Sequence, residues 1–181
     1  MRARQPKVTF TRVGDEEAAV LAAWLAEETW PFHARNRWTP DAALDAICSG
    51  DFSGTNPTYW VELAGDGRVG IVHYRYVEDV SPDTDFRLRA AFRGRGLGTR
   101  MVEWAAEHLF TTTDKHRLAG ETRVDNLAMR RAFRRCGWVK EAYYRQSWPT
   151  EDGGWSDSVG YAILRDDWSV GRTTPVPWEE E

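Results

Sequence analysis

The sequence predicts a mixed α/β fold: a central, mostly antiparallel, twisted sheet of six to seven strands with helices on both faces. Three observations carry this. Strand-like runs recur along the chain, helix-period runs interrupt them, and the order is mixed. That order is a strand, two helices, three meander strands, helix, strand, helix, two strands. Such a mixture joins hairpin neighbours with crossovers, so helices fall on both sides of one sheet. A chain of 181 residues suits one domain, and no repeat or linker breaks it.

Val8–Arg12 reads as the first strand. Asp15 is expected to cap a helix running to about Glu27, with Ala19, Val20, Ala23 and Trp24 on its apolar side. Trp30–Trp38 reads as loop. Thr39-Pro40-Asp41 then starts a helix, Thr39 as N-cap and Pro40 at its first position. Tyr59–Leu63 and Val69–Val77 are strands joined at Gly65-Asp66-Gly67, and Thr84–Ala90 completes a meander.

Arg93-Gly94-Arg95-Gly96-Leu97-Gly98-Thr99 precedes a helix to about Phe110, whose Met101, Val102, Ala105, Ala106 and Leu109 share one face. Arg117–Val124 is a strand, and Asn126–Cys136 a helix stopped by Gly137. Val139–Trp148 and Trp155–Leu164 are strands around a turn at Glu151–Gly154. Residues from Arg165 onward, and 169–181 above all, read as a flexible tail.

The charge balance is −4, which disfavours nucleic-acid binding. Cys48 and Cys136 form no C-x-x-C pair, and the four histidines are scattered, so no metal site is expected. Nothing resembles an apolar leader or membrane span, so a cytoplasmic protein is expected. Ten tryptophans read mainly as packing.

Strand, glycine-rich turn and helix together make an anion site. A helix N-terminus exposes unpaired N–H groups and a positive dipole end. Gly94, Gly96 and Gly98 remove side chains from that turn, while Arg93 and Arg95 add charge. A pyrophosphate fits such a place. The phosphate loop G-x-x-x-x-G-K-S/T is absent, and the spacing G-x-G-x-G departs from the dinucleotide pattern G-x-G-x-x-G.

The run Arg93-x-x-Gly96-x-Gly98 resembles the R/Q-x-x-G-x-G/A coenzyme A loop of the GNAT superfamily of N-acetyltransferases. Asp125-Asn126-Leu127-Ala128, followed by Phe133 and Gly137-Trp138, resembles that superfamily's second motif. The closing Tyr161–Trp168 looks like the end of the subgroup holding the ribosomal-protein N-terminal acetyltransferases. The resemblance is strong from Thr84 to Trp168 and weak before Tyr59.

It implies a single acyl-CoA N-acyltransferase domain over 1–168. It also implies that acetyl-CoA lies where two strands diverge. Arg87, Leu88 and Arg89 would then follow the pantetheine, and Arg93, Gly94, Arg95, Gly96, Leu97, Gly98 and Thr99 would hold the pyrophosphate. Asn126 would bond the cofactor near the cleft. The implied reaction is direct attack by a primary amine, of a small molecule or a protein N-terminus, on the acetyl thioester. A homodimer is compatible with the resemblance.

This chemistry needs a base for the amine, a donor for the oxyanion and an acid for the thiolate. A backbone N–H near Leu88 matches the superfamily's oxyanion donor. Glu121 and Asp85 are the candidate bases if burial raises their pKa, with Glu121 first. Seven residues after the motif Asn, where many members have an acidic Tyr, stands Phe133. Tyr143, Tyr144 and Ser147 are its substitutes, Tyr144 and Ser147 ahead. A second reading, an acyl-CoA-binding regulatory module without turnover, rests on that missing Tyr. His73 reads as a satisfied sheet histidine. Trp30, Phe32, His33, Trp38 and the loop Asp51–Pro57 are the expected acceptor walls.

Overall fold

The computed structural model describes residues 7–178. The strands are β1 (Val8–Arg12), β2 (Thr58–Leu63), β3 (Gly67–Arg75), β4 (Asp83–Leu88), β5 (Arg117–Arg123), β6 (Val139–Pro149) and β7 (Trp155–Leu164). The helices are α1 (Ala18–Ala26), α2 (Pro40–Cys48), α3 (Leu97–Thr112), α4 (Leu127–Arg135) and α5 (Arg165–Val170). The strands form one seven-stranded sheet in the order β1-β2-β3-β4-β5-β7-β6, as the fold class predicted. Every pairing is antiparallel except β4 with β5.

Two cores cover the two faces. Met101, Val102, Ala105 and Leu109 of α3 bury against Val72, Leu118, Val159 and Tyr161 of the sheet. On the other face Leu21, Leu25, Ala43 and Ile47 of α1 and α2 bury against Trp60 and Ile71. Each fully buried aliphatic side chain of this kind contributes roughly 1.5–3 kcal/mol. Among the described residues no helix is long and apolar enough to cross a membrane.

α2 starts as its sequence dictates: the Thr39 hydroxyl accepts from Ala42 N–H at 3.2 Å behind Pro40. α1 starts differently. Asp15–Glu17 form a 3₁₀ turn, and Gly14 is the N-cap, its N–H donating to the Glu17 carboxylate at 3.1 Å. Glu17 also holds Arg68 and is reached by Trp60 Nε1, so tertiary partners moved the cap one residue back.

The chain from Arg165 opens as α5. Arg165 donates to the carbonyls of Phe110 (2.6 Å) and Lys115 (2.8 Å), so it covers the C-terminal end of α3. Asp167 is buried and accepts from Thr174 N–H and Oγ1, both at 2.8 Å. Residues 1–6 of the expected domain and 179–181 of the expected tail lie outside the described residues.

The site comes from one break in the sheet. β4 and β5 pair only at Asp83 and Ala119, where Ala119 N–H donates to Pro82 O at 2.8 Å. Beyond that point β4 stays with β3 through Leu88, while β5 stays with β7 through Arg123. The two parallel strands therefore separate, and a wedge opens through the sheet.

Candidate active site

The wedge is a cavity of about 420 Å³ that reaches both faces. Asn126, Met129 and Phe133 of α4 and its cap line it on the α3–α4 face. His33, Trp38, Phe52, Arg87 and Trp148 line it on the other.

The glycine turn borders the α3–α4 face. Gly94 has φ 74° and Gly96, the N-cap of α3, φ 81°; both are left-handed positions that L side chains rarely adopt. A Cβ built on Gly94, Gly96 or Gly98 would meet nothing within 4 Å. The space over the turn is open, and the first amides of a 16-residue helix with no acidic residue in its first turn face outward there. Buried Leu97 anchors the turn from below. Arg93 Nε donates to Leu88 O at 3.0 Å, and Arg95 stacks over Phe92 at 5.2 Å, which places both cations beside the turn. These residues fit a pyrophosphate.

β4 presents backbone on one side and side chains on the other. Arg89 N–H donates to Val69 O at 2.9 Å, so Leu88, one residue back, turns its amide and carbonyl toward the wedge. The side chains of Arg87 and Arg89 turn away from the cofactor face. Arg89 pairs with Glu27 and lies 5.4 Å from Trp24. Arg87 donates to Asp85 at 2.8 and 3.1 Å and lies over Trp30 and Phe52. Any role of Arg87 and Arg89 toward a pantetheine therefore falls to their main chain.

Asp85 does face the cavity and is buried, yet its carboxyl does not rise. Burial alone would raise it, but the Arg87 guanidinium and the His33 contact (2.7 Å) overcome that and hold it well below the usual carboxylate range. The expectation of a base made basic by burial fails at Asp85, because its charge is answered on both oxygens. Burial lowers the His33 pKa despite Asp85, so a neutral imidazole donates Nε2–H to the carboxylate. His73 is also buried and pushed down to about 3 by that burial. Its Nδ1 meets the Thr58 hydroxyl at 3.1 Å and its ring lies 4.5 Å from Phe52, a satisfied sheet histidine as read from sequence.

Glu121 lies across the wedge from Asp85. Its neighbour Gly120 faces α4, since a Cβ there would come 2.8 Å from Phe133 Cζ. Alternation then turns Glu121 to the Asp85 face. Its Oε1 accepts a short hydrogen bond from Ser158, a fully buried hydroxyl on β7. Ser147 Oγ lies 2.6 Å from Ser158 Oγ, and because Ser158 already donates to Glu121, Ser147 is the donor.

Two candidates, Glu121 and Ser147, are thus joined through a residue the sequence reading passed over. Tyr144 lines a neighbouring hollow with Glu121, Glu141 and Gly160. Tyr143 donates to Asp157 and is half exposed, outside the cavity.

Strand alternation alone would set Ser147 and Tyr144 on opposite sides. β6 is not regular: its register against β7 shifts between Tyr144 and Trp148, with Gln146 at φ 50°. Asp157 accepts from Gln146 N–H at 2.7 Å and stabilises the bulge. Bulges re-aim side chains, and this one brings Ser147 to Ser158 and Trp148 to the cavity wall.

Asn126 serves the protein first. It accepts from Met129 N–H at 3.3 Å as the cap of α4 and donates to Thr122 Oγ1 at 2.9 Å. Phe133 is buried against Phe86, Trp138 and Tyr161, and borders the cavity. Trp30, expected as a wall, is core: it is 1% exposed and donates to Leu25 O at 2.8 Å. Phe32, His33, Trp38, Asp51, Phe52 and Asn56 do line the cavity. Their loop is held across it by Arg123, which donates to Pro31 O at 3.1 Å, and by Asn36, which donates to Glu151 at 2.7 Å.

The split parallel pair and the glycine-capped helix agree with the acyltransferase fold that the sequence motifs resemble. Residues 7–139 match the acetyltransferase (GNAT) domain family, and the chain belongs to that family. It is an acetyl-CoA-dependent N-acetyltransferase.

No curated protein sequence matches the chain. Among solved structures, spermidine N-acetyltransferase from Vibrio cholerae in complex with CoA and spermine aligns with TM-score 0.74 at 15% identity, covering 90% of this chain and 98% of that one. A chimera of the Vibrio cholerae enzyme with hSSAT aligns with TM-score 0.75 at 16% identity over the same shares. At these identities the likeness is one of fold. Neither is a ribosomal-protein N-terminal acetyltransferase, the subgroup that the closing hairpin resembles.

Proposed function

We propose that the protein acetylates the primary amine of a small molecule, which enters beneath the Pro31–Trp38 loop and meets the acetyl group in the wedge. One observation carries this reading: a cavity of about 420 Å³ is lined by Asn126, Met129 and Phe133 on the α4 side and by Phe32, His33 and Trp38 on the loop side. A cavity of that size suits a compact acceptor, and the loop pinned by Arg123 and Asn36 leaves less room for a polypeptide than an open groove would.

Acetyl-CoA, when bound, supplies an acetyl group activated as a thioester. The turn Arg93–Thr99 binds its pyrophosphate through backbone amides and flanking cations, and the main chain of Arg87–Arg89 with Asn126 borders its arm. Leu88 N–H points into the wedge as the oxyanion donor. Glu121 takes the amine proton, and Ser158 positions its carboxylate so that Oε2 is left for the acceptor. Asp85 holds Arg87 and His33 in place and is not the base. Tyr144 and Ser147 are the hydroxyls nearest this chain of groups. Much of the rate comes from holding amine and thioester together.

The test is calorimetric titration with acetyl-CoA, then thiol release over a panel of small amines and N-terminal peptides, with wild type and Glu121→Gln. Turnover of a small amine, lowered about 100-fold in Glu121→Gln at unchanged acetyl-CoA affinity, is expected. Turnover confined to peptides, or binding with no turnover, overturns the reading.

A further inference from the structure

Four residues of the cavity wall each carry a buried hydrogen-bond donor that the protein leaves unpaired. These donors are Trp38 Nε1, Arg75 Nε, Arg87 Nη1 and Trp148 Nε1. They come from four segments: the loop after α1, β3, β4 and the end of β6. An unpaired buried donor costs roughly 1–3 kcal/mol, and several around one cavity call for a common explanation.

Several carboxylate oxygens nearby are already engaged, while His33 Nδ1 is a buried acceptor without a partner. Asp85 takes His33 on one oxygen and Arg87 on the other. Asp83 takes Arg75, and Glu121 takes Ser158. The wall's formal charges also cancel, with Arg35, Arg75 and Arg87 against Asp51, Asp85 and Glu121. A bare polycation gains no net attraction there and offers nothing to an indole or guanidinium N–H, because an ammonium only donates. The missing partner must bring lone pairs.

Resting on the small-amine reading above, we infer that the acceptor carries hydrogen-bond-accepting oxygens besides its amine, a carboxylate foremost, and that Trp38, Trp148, Arg75 and Arg87 hold them. Guanidinium donors favour an anionic oxygen over a neutral one, and sites that hydrogen-bond a substrate group reject analogues lacking it. The oxygens also orient the acceptor, leaving its amine toward Glu121.

The experiment uses the full chain with saturating acetyl-CoA and three acceptor sets of similar length. The first contains amino carboxylates, the second amino alcohols and amino sugars, and the third alkyl diamines and spermidine. An oxygen-bearing set is expected to exceed the third in kcat/KM by at least about tenfold, and the first two report which oxygen is read. Trp148→Phe and Trp38→Phe keep a ring and remove the N–H. Each should raise KM for the preferred acceptor about tenfold without moving KM for acetyl-CoA.

Equal or better turnover of the alkyl polyamines overturns the inference while leaving the small-amine reading standing. So does an unchanged acceptor KM in both folded Trp variants. Acetyl-CoA binding with no turnover of any set removes the small-amine reading, and this inference with it.

Discussion

The glycine turn ahead of α3 and the cavity on the Asp85 face, joined in one site by the proposed function, differ in construction. The turn is a single stretch, Arg93–Thr99, and it works through main-chain amides, left-handed glycines and open space. The cavity draws on α1's trailing loop, the α2–β2 loop, β3, β4, β5 and β6, and works through side chains. A backbone cradle tolerates little variation in its own residues and needs few others. A side-chain cavity depends on each wall being positioned by something else, as Trp148 is by the bulge and Pro31 by Arg123. The two halves should therefore fail differently when altered.

The sharpest break is on the turn. Gly96→Glu sets a side chain at φ 81° and a negative charge where the proposed function puts a pyrophosphate. Loss of two charge-assisted hydrogen bonds there predicts a fall in acetyl-CoA affinity of about 1,000-fold in a protein that still folds. Calorimetry on a variant with native circular dichroism checks it, and unchanged affinity would refute the turn as the binding place.

On the cavity side the corresponding break is in stability. Asp85→Asn leaves buried Arg87 with no charge partner on β4 and should cost about 3 kcal/mol in urea denaturation at pH 7. Asp85→Asn combined with Arg87→Met should regain most of that loss, because the uncompensated charge leaves with the guanidinium. A single variant as stable as wild type would mean that the ion pair does not hold this wall.

Gly120→Ala probes the seam between the halves. The new methyl would lie 2.8 Å from Phe133 Cζ and 3.2 Å from Cε1, on a ring packed by Phe86, Trp138 and Tyr161. Overpacking of about 2 kcal/mol is expected from the same denaturation measurement.

The most gradual effect is on pH, spread over several units. His73 is pushed down to about 3 in the folded state from an ordinary 6.5, so the unfolded chain binds the proton over that interval. Its stabilising share is complete above about 6.5 and declines as pH falls toward 3, by up to about 1.4 kcal/mol per pH unit. His33 is shifted the same way. Asp85, depressed as an acid, adds stability that is lost only as pH falls below the ordinary carboxylate value toward its lower folded one. His73→Gln should therefore flatten the slope of stability against pH between 6 and about 4.5. An equal slope in the variant would show that His73 is not held neutral.

Legibility in the sequence follows the same division. Thr39-Pro40 announced α2 because a cap acts within one turn. Arg93–Thr99 announced the glycine-capped start of α3 because its features lie in consecutive residues. Gly14's cap, α5 and the bulge at Tyr144–Trp148 were not legible, since each depends on a distant partner: Arg68, the α3 carbonyls and Asp157 respectively. Ser158 escaped notice because a serine in a strand carries no local sign that Glu121 and Ser147 will lie on either side of it. Trp30 and Trp38 looked alike as loop aromatics, yet one is core and the other borders the cavity.

By itself the sequence determined the order of elements, the fold class, the cap of α2 and the glycine-rich start of α3, because periodicity, capping and backbone freedom act over a few residues. Only the tertiary structure decided that β4 and β5 part after Asp83, that Arg87 and His33 hold Asp85 ionised while Ser158 positions Glu121, and that indole and guanidinium donors gather unpaired around one cavity. Those are relations between segments far apart in the chain. Charge, burial and hydrogen bonding take their values from what is near in space, which no local pattern records.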